Sequence, residues 1–265
     1  MTHHDLLPIA REAVAMGSRI IHSRPFDHVT AKTERDLVTD IDLAVEDALR
    51  TFLQAEAPHV GVLGEEHGHT GPTDLWWALD PIDGTTNFAR GIPLCAVSLA
   101  LVSDTTSVLA AITLPFLGVD YHAVRDEGAY AGTRRLHTSP VTDVADAVIS
   151  IGDFAVGEDA ATKNAVRIAL LTRLGATAQR IRMIGTAAID LAWVAEGKLD
   201  ATIILSNMPW DTMAGALLVH ESGGLVLDLD NTPHTSASTA TIAVTAGLRQ
   251  VVVNTLHQSF EDTQA

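Results

Sequence analysis

Asp80-Pro81-Ile82-Asp83-Gly84-Thr85-Thr86-Asn87-Phe88 decides how this chain is read. Two carboxylates stand three residues apart across a Pro-Ile step, and a Gly-Thr-Thr turn follows at once. The preceding Trp76-Trp77-Ala78-Leu79 reads as a buried strand. Carboxylates at a strand end suit a hard cation such as Mg²⁺, which takes oxygen ligands. The turn offers backbone N–H groups where a helix could begin, a ready site for an anion. A cation site and an anion site in one short segment point to phosphate chemistry assisted by metal.

Two further segments extend this pattern. Gly64-Glu65-Glu66 follows the apolar run Val60 to Leu63, so it too lies at a strand end. Far downstream, Trp210-Asp211-Thr212-Met213-Ala214-Gly215 opens an apolar helix that closes at Glu221-Ser222-Gly223-Gly224. Glu65, Asp80, Asp83 and Asp211 thus come from three segments and could hold two or three Mg²⁺ ions.

These segments, with Gly185-Thr186-Ala187-Ala188, carry a resemblance over nearly the whole chain to the inositol monophosphatase family of Mg²⁺-dependent, Li⁺-sensitive sugar-phosphate phosphatases. The resemblance implies an α/β (α+β) fold, a five-layer α/β/α/β/α sandwich of the inositol monophosphatase and fructose-1,6-bisphosphatase type. It implies a single domain over 1–265, a homodimer, and a metal site between two halves.

Composition bounds the rest. A chain of 265 residues buries a substantial core, and 47 % hydrophobic content excludes global disorder. No apolar run is long enough to span a bilayer, so no membrane is expected. Met1-Thr2-His3-His4-Asp5 does not look like a signal peptide. The single cysteine, Cys95, excludes an internal disulfide and reads as a buried, inert thiol. The expectation is a cytoplasmic protein. The net charge of −16 argues against nucleic acid. It also conflicts with an anionic phosphate ester as substrate, unless bound cations reverse the local potential.

Periodicity predicts helices at Leu6–Ile21, from Thr39 or Asp40 to about Ala57, at Ala160–Leu174, Thr186–Ala195, Trp210–Glu221 and Leu248–Phe260. Strands are expected at Val60–Leu63, Trp76–Leu79, Ala96–Val102, Val108–Leu114, Tyr121–Val124, Val148–Ile151, Ala176–Arg182, Ala201–Leu205, Leu225–Leu229 and Ile242–Thr245. The first half (1–139) reads as helices plus an antiparallel sheet, the second (140–265) as α/β, joined near Ser139-Pro140.

The resemblance also assigns roles. Glu65, Asp80, the Ile82 carbonyl, Asp83 and Asp211 would bind metal. Glu65 and Thr85 would orient the attacking water, and Asp42 would hydrogen-bond Thr85. Asp83, Gly84, Thr85, Thr186, Ala187 and Asp211 would contact the phosphate ester. Lys32 would lie near a peripheral third metal, although its spacing to Asp36 is one residue short. Each has a blander alternative: Asp211 as a helix cap, Asp42 as a first-turn acid favoured by the helix dipole, Gly185-Thr186 as the plain start of a helix. Glu66 faces away from Glu65 if both lie in a strand. His67 and His69 are poor ligands for Mg²⁺ and read as solvated.

The expected activity is hydrolysis of myo-inositol 1-phosphate by a metal-activated water. Histidinol-phosphate phosphatase, fructose-1,6-bisphosphatase and 3′-phosphonucleotide phosphatase are the alternatives in the superfamily. Thr86, in place of a lysine expected in the histidinol and nucleotide branches, favours inositol phosphate. A non-catalytic, protein-binding regulator on the same fold is the alternative of another class. One departure stands out. Animal-type members carry a glutamate seven residues before the Trp-Asp aspartate, where it binds inositol hydroxyls. Counting back seven from Asp211 gives Ile204, with Ser206 and Asn207 the nearest polar side chains.

Overall fold

A computed structural model describes residues 3–23, 29–31 and 37–263. Lys32 lies outside the described residues. The chain begins with α1 (Leu7–Ser23), β1 (Val29–Ala31), β2 (Leu37–Thr39) and α2 (Asp40–Glu56). Then follow β3 (Gly61–Gly64), β4 (Gly68–Thr70), β5 (Leu75–Asp83), α3 (Thr85–Ala89), β6 (Ala96–Ser103), β7 (Thr106–Leu114), β8 (Val119–Val124), β9 (Gly128–Ala131) and β10 (Arg134–Arg135). The second half comprises β11 (Val148–Ile151), α4 (Ala160–Thr177), β12 (Arg180–Arg182), α5 (Ala187–Ala195), β13 (Ala201–Ile204), α6 (Pro209–Glu221), β14 (Leu225–Leu227), β15 (Thr241–Val244) and α7 (Arg249–Glu261).

The elements stack as α/β/α/β/α. Helices α1 and α2 bury Ala10, Val14, Ile41, Val45 and Leu49 against Trp77, Leu79, Val97 and Leu99 on one face of an eight-stranded sheet. The opposite face, with Trp76, Ala78, Ala100 and Ile112, packs on α5 and α6 through Ile189, Leu191, Met213 and Leu217. A five-stranded sheet follows, and α4 and α7 cover its far side with Leu170, Leu174, Val252 and Leu256. Because α5 and α6 lie between two sheets, they are apolar nearly all round, as buried helices are. Among the described residues no helix is long and apolar enough to cross a membrane.

Two sequence expectations need correction. The first sheet is not purely antiparallel: its order is β10-β9-β8-β7-β6-β5-β3-β4, and β3 runs parallel to β5. The short β4 folds back on β3 and takes the sheet edge, so the chain must return on the inner side of β3. The segment expected as a strand over Ala176–Arg182 is strand only at Arg180–Arg182, because α4 runs on to Thr177. Strands β1, β2, β4, β9 and β10 escape the sequence reading, being short and without the apolar run that marks equally short strands such as β3 and β13.

One local irregularity sets up the site. Asp80 pairs with Ser98 and Asp83 with Ala96, so three steps on β5 answer two on β6. Residues three apart in a regular strand point to opposite faces. The extra residue cancels that alternation. Trp76 and Ala78 face α5 and α6, whereas Ile82 has shifted to the α1–α2 side with Trp77 and Leu79. Asp80 and Asp83 both line the cleft as a result. Pro81 donates no ladder hydrogen bond, and the next N–H, of Ile82, goes to Asp80 Oδ1 at 3.0 Å.

Candidate active site

A cleft where the two sheets' layers meet is lined by Glu65, Asp80, Ile82, Asp83, Gly84, Thr85, Gly152, Asp153, Gly185, Thr186, Ala187, Asp190, Ile204, Ser206 and Asp211. All four carboxylates singled out from the sequence therefore share one cavity. Its volume, ≈ 220 Å³, suits a small ester rather than a drug-sized ligand, which takes ~300–1,000 Å³.

Each side chain is placed by its own element. Glu65 follows β3, and its N–H bonds Leu79 O at 3.3 Å, next to Asp80. Asp211 sits in the first turn of α6, whose Pro209 occupies an early position where no N–H is missed. Asp83 reaches across the cleft to the start of α5: Thr186 Oγ1 donates to its Oδ2 at 2.6 Å and Ala188 N at 2.5 Å. Thr186 also caps α5 by accepting from Ile189 N at 3.3 Å. Its hydroxyl is thus committed to Asp83 and the helix, while the residue still lines the cavity.

Thr85 Oγ1 lies 3.1 Å from Asp42 Oδ1 and 3.0 Å from Ile82 O. Asp42 is fully buried on α2, where it forms a capping box with Thr39; the Thr39 N–H donates to Asp42 Oδ2 at 2.9 Å. Gly84 turns the chain from β5 into α3 at φ 91°, in the left-handed region. A Cβ there would stand 3.0 Å from Leu94 O and 3.3 Å from Gly185 O, so glycine permits the two halves to approach.

The electrostatics are those of crowded like charges. Burial, reinforced by the charges of Glu65, Asp83 and Asp211, holds the Asp80 carboxyl well above the usual range. Burial, then the charges of Asp83 and Glu65, does the same to Asp211. Asp83 is raised to about 6 by burial, with the Thr186 and Ala188 bonds pulling the other way. Burial also raises Asp42.

No three His, Cys, Asp or Glu side chains form a finished chelate among the described residues. The fit to a metal rests instead on donor chemistry. The cleft offers carboxylates and a backbone carbonyl, all hard oxygen donors, and their mutual repulsion is what a cation would relieve. The histidines stand elsewhere: His67 Nε2 lies 3.0 Å from Asp47 and His69 Nε2 3.1 Å from Pro72 O. Glu66 is not among the lining residues. Cys95 is buried, and burial pushes its thiol up to about 12. Ile204 lines the cavity, as does Ser206, whereas Asn207 turns away to Thr241, His234 and Ser238 O.

Asp153 and Asp190 complete the lining and were not singled out from the sequence. Asp190 had a visible signal, being the one charged residue in the apolar run Ala187–Ala195. Burial first, then the charges of Asp83 and Asp153, pushes it up to about 8, with Ser150 tempering the rise. The folded state thus holds this proton more tightly than the unfolded chain, whose carboxyl titrates near 3.8. Stability from this group is full below about pH 4 and is lost as pH rises towards about 8, at ~1.4 kcal/mol per unit. Asp190→Asn should therefore raise the Tm of the metal-free protein at pH 8 by several degrees and leave it nearly unchanged at pH 4. A Tm difference that does not grow with pH in thermal scans would refute this.

Comparisons with known proteins bear on the chain as a whole. Residues 4–262 match the family model described as the inositol monophosphatase family. The chain is 35 % identical over 226 residues to inositol-1-monophosphatase ImpA of Mycolicibacterium smegmatis, covering 84 % of this chain and 81 % of that protein. It is 32 % identical over 259 residues to Nus factor SuhB of Xylella fastidiosa, covering 94 % and 93 %. The IMPase of Thermotoga maritima superposes with a TM-score of 0.89 at 26 % identity, covering 98 % of this chain and 99 % of that one.

Proposed function

The chain belongs to the inositol monophosphatase family, and we propose that it hydrolyses myo-inositol 1-phosphate to inositol and inorganic phosphate. The observation that carries this is the meeting of Glu65, Asp80, Asp83 and Asp211 with the Thr85–Asp42 pair in one small cleft. The family is metal-dependent, and Mg²⁺, two or three ions, is the cation the oxygen donors favour. Glu65, Asp80, the Ile82 carbonyl, Asp83 and Asp211 would hold it. When bound, it would supply Lewis-acid polarisation, a more acidic water and positive charge for an anionic ester in this acidic protein.

The chain's own residues supply positioning and proton handling. A water attacks phosphorus in line, its new O–P bond forms as the P–O bond to the alcohol breaks, and the water's proton ends on the leaving alkoxide oxygen. Thr85 accepts a hydrogen bond from that water while its own proton is held by Asp42 or the Ile82 carbonyl. Glu65 orients the same water from the opposite segment. The N–H groups of Gly84 and Thr85 would hold the phosphoryl oxygens, and Thr186, Ala187 and Ile204, which line the same cleft, would lie on the alcohol side. Such positioning and charge stabilisation account for most of the rate in phosphoryl transfer.

The resemblance supports inhibition by Li⁺ and a homodimer, and a cytoplasmic setting is part of the same reading. A protein-binding role, suggested by relatives called Nus factor SuhB, is the second reading. The crowded carboxylates speak for catalysis, because burying them together is costly without a cation.

Phosphate release measured over a panel of phosphomonoesters, with and without Mg²⁺, tests the proposal. Inositol 1-phosphate should be hydrolysed only with Mg²⁺. Ile204 offers no acceptor to a polyol, so glycerol 2-phosphate should be hydrolysed within a hundredfold of it in kcat/KM. Ile204→Glu should improve inositol 1-phosphate through KM rather than kcat, by about 1.5–3 kcal/mol for a charged acceptor. No Mg²⁺-dependent release from any ester would overturn the enzymatic reading. Release confined to histidinol phosphate would overturn the substrate alone.

A further inference from the structure

We propose that Glu46, held by Arg50, is a positioning residue that sets Glu65 for metal binding. This rests on the metal-binding reading of Glu65 above. Helix α2 carries Asp42, Glu46 and Arg50 four residues apart, on one face. Asp42 is taken by Thr85. One turn on, Glu46 is fully buried, and its two oxygens reach the turn that carries Glu65. Glu66 N donates to Oε2 at 2.8 Å and His67 N to Oε1 at 3.1 Å.

These are the first two peptide N–H groups beyond Glu65. In a turn they have no ladder partner; Glu66 is half-buried and His67 exposed, so without Glu46 water would take these N–H groups and their direction would no longer be fixed. A two-oxygen acceptor satisfies both at once and fixes the direction in which the chain leaves Glu65. On the other side, the Glu65 N–H is fixed by Leu79 O of β5. The residue is therefore held from both directions, between α2 and the strand that carries Asp80.

Arg50 locks the acceptor. Its Nε donates to Glu46 Oε1 at 2.7 Å, Nη1 to Thr70 Oγ1 at 3.1 Å, and Nη2 to Gly68 O. One guanidinium thus joins the helix to β4 on the far side of the same turn. Gly64 makes room for the pair: a Cβ there would stand 2.2 Å from Glu46 Oε1 and 2.8 Å from Arg50 Nη2. The backbone before Glu65 and the Glu46–Arg50 pair are therefore fitted to each other.

A buried ion pair that served only the fold could be replaced by apolar side chains at little cost, whereas losing one partner is destabilising. A positioning pair behaves differently, because an apolar replacement leaves the Glu66 and His67 N–H groups without their acceptor. The test uses the full-length protein, stripped of metal. Mn²⁺ serves as an oxygen-seeking probe, its free fraction is read by electron paramagnetic resonance, and Tm is measured in parallel.

The Glu46→Met, Arg50→Met double variant should stay folded with a Tm within a few degrees of wild type, yet bind Mn²⁺ at least about tenfold more weakly. Glu46→Gln, which keeps one oxygen acceptor, should fall between the two. Wild-type Mn²⁺ affinity in either folded variant overturns the proposal. Should the double variant unfold, the Gln variant decides, and it must lose affinity by at least about threefold. Failure of wild type itself to bind Mn²⁺ would count against the metal-binding reading instead.

Discussion

Asp80→Asn should lower turnover of a phosphomonoester by at least ~10³-fold while leaving the protein folded. Asp80 is almost wholly buried, and Glu65, Asp83 and Asp211 all act on it electrostatically. It is the carboxylate at the centre of the set. Asparagine keeps its shape and the acceptor for Ile82 N, but removes the charge. Thermal scans give a second reading of the same variant. In the metal-free protein the substitution relieves repulsion, so Tm should hold or rise. Added Mg²⁺ should then stabilise the variant much less than wild type, since stabilisation follows the logarithm of ligand over Kd. Asp80→Asn with Mg²⁺-dependent turnover near wild type and an unchanged metal-induced Tm gain would sink the metal assignment.

Thr85→Ala should lower kcat by about 10²–10⁴-fold, with smaller changes in KM and in metal affinity. The hydroxyl sits between Asp42 and the Ile82 carbonyl, and either can hold its proton so that a lone pair is left for the attacking water. Alanine keeps the short helix α3 and deletes the hydroxyl, that is, both this acceptor and the donor to Asp42 and Ile82 O. Thr85→Ser retains the hydroxyl and should recover most of the activity. Asp42→Asn should slow the reaction less than Thr85→Ala, because the Ile82 carbonyl remains to take the proton. The assignment fails if Thr85→Ala stays within tenfold of wild-type kcat, or if Thr85→Ser is as slow as Thr85→Ala.

The helices were legible because burial imposes a 3.6-residue period. Ala10, Ala13, Val14, Gly17 and Ile21 mark α1, and Ile41, Val45, Leu49 and Leu53 mark α2. The long strands were legible as apolar runs between turn residues, as at Ala96–Ser103 and Thr106–Leu114. Strands such as β4 and β10 are too short and too exposed to show a pattern. The parallel step from β3 to β5 left no local mark, because strand direction depends on which side of β3 the returning chain takes.

The site was legible in parts. Asp80 and Asp83 stand out by type and by the turn that follows them, and Glu65 and Asp211 by their place at element ends. Glu46 had a quieter signal, as a charge on the core face of α2 beside Val45 and Leu49. Asp153 had none, since a lone acid in a loop reads as solvated.

By itself, the amino-acid sequence determined which residues are oxygen donors, where helices and long strands begin, and the chemistry that Asp80 to Phe88 can support. These follow from side-chain type and short-range periodicity. Only the tertiary structure decided that one extra residue in β5 puts Asp80 and Asp83 on the same face. Only there does Asp83 meet the start of α5 and Asp42 meet Thr85. The physical reason is non-local: the β5 irregularity is set by its pairing with β6, and the other contacts join residues 43 to 105 positions apart, whose distance is set by packing between layers and not by local preference.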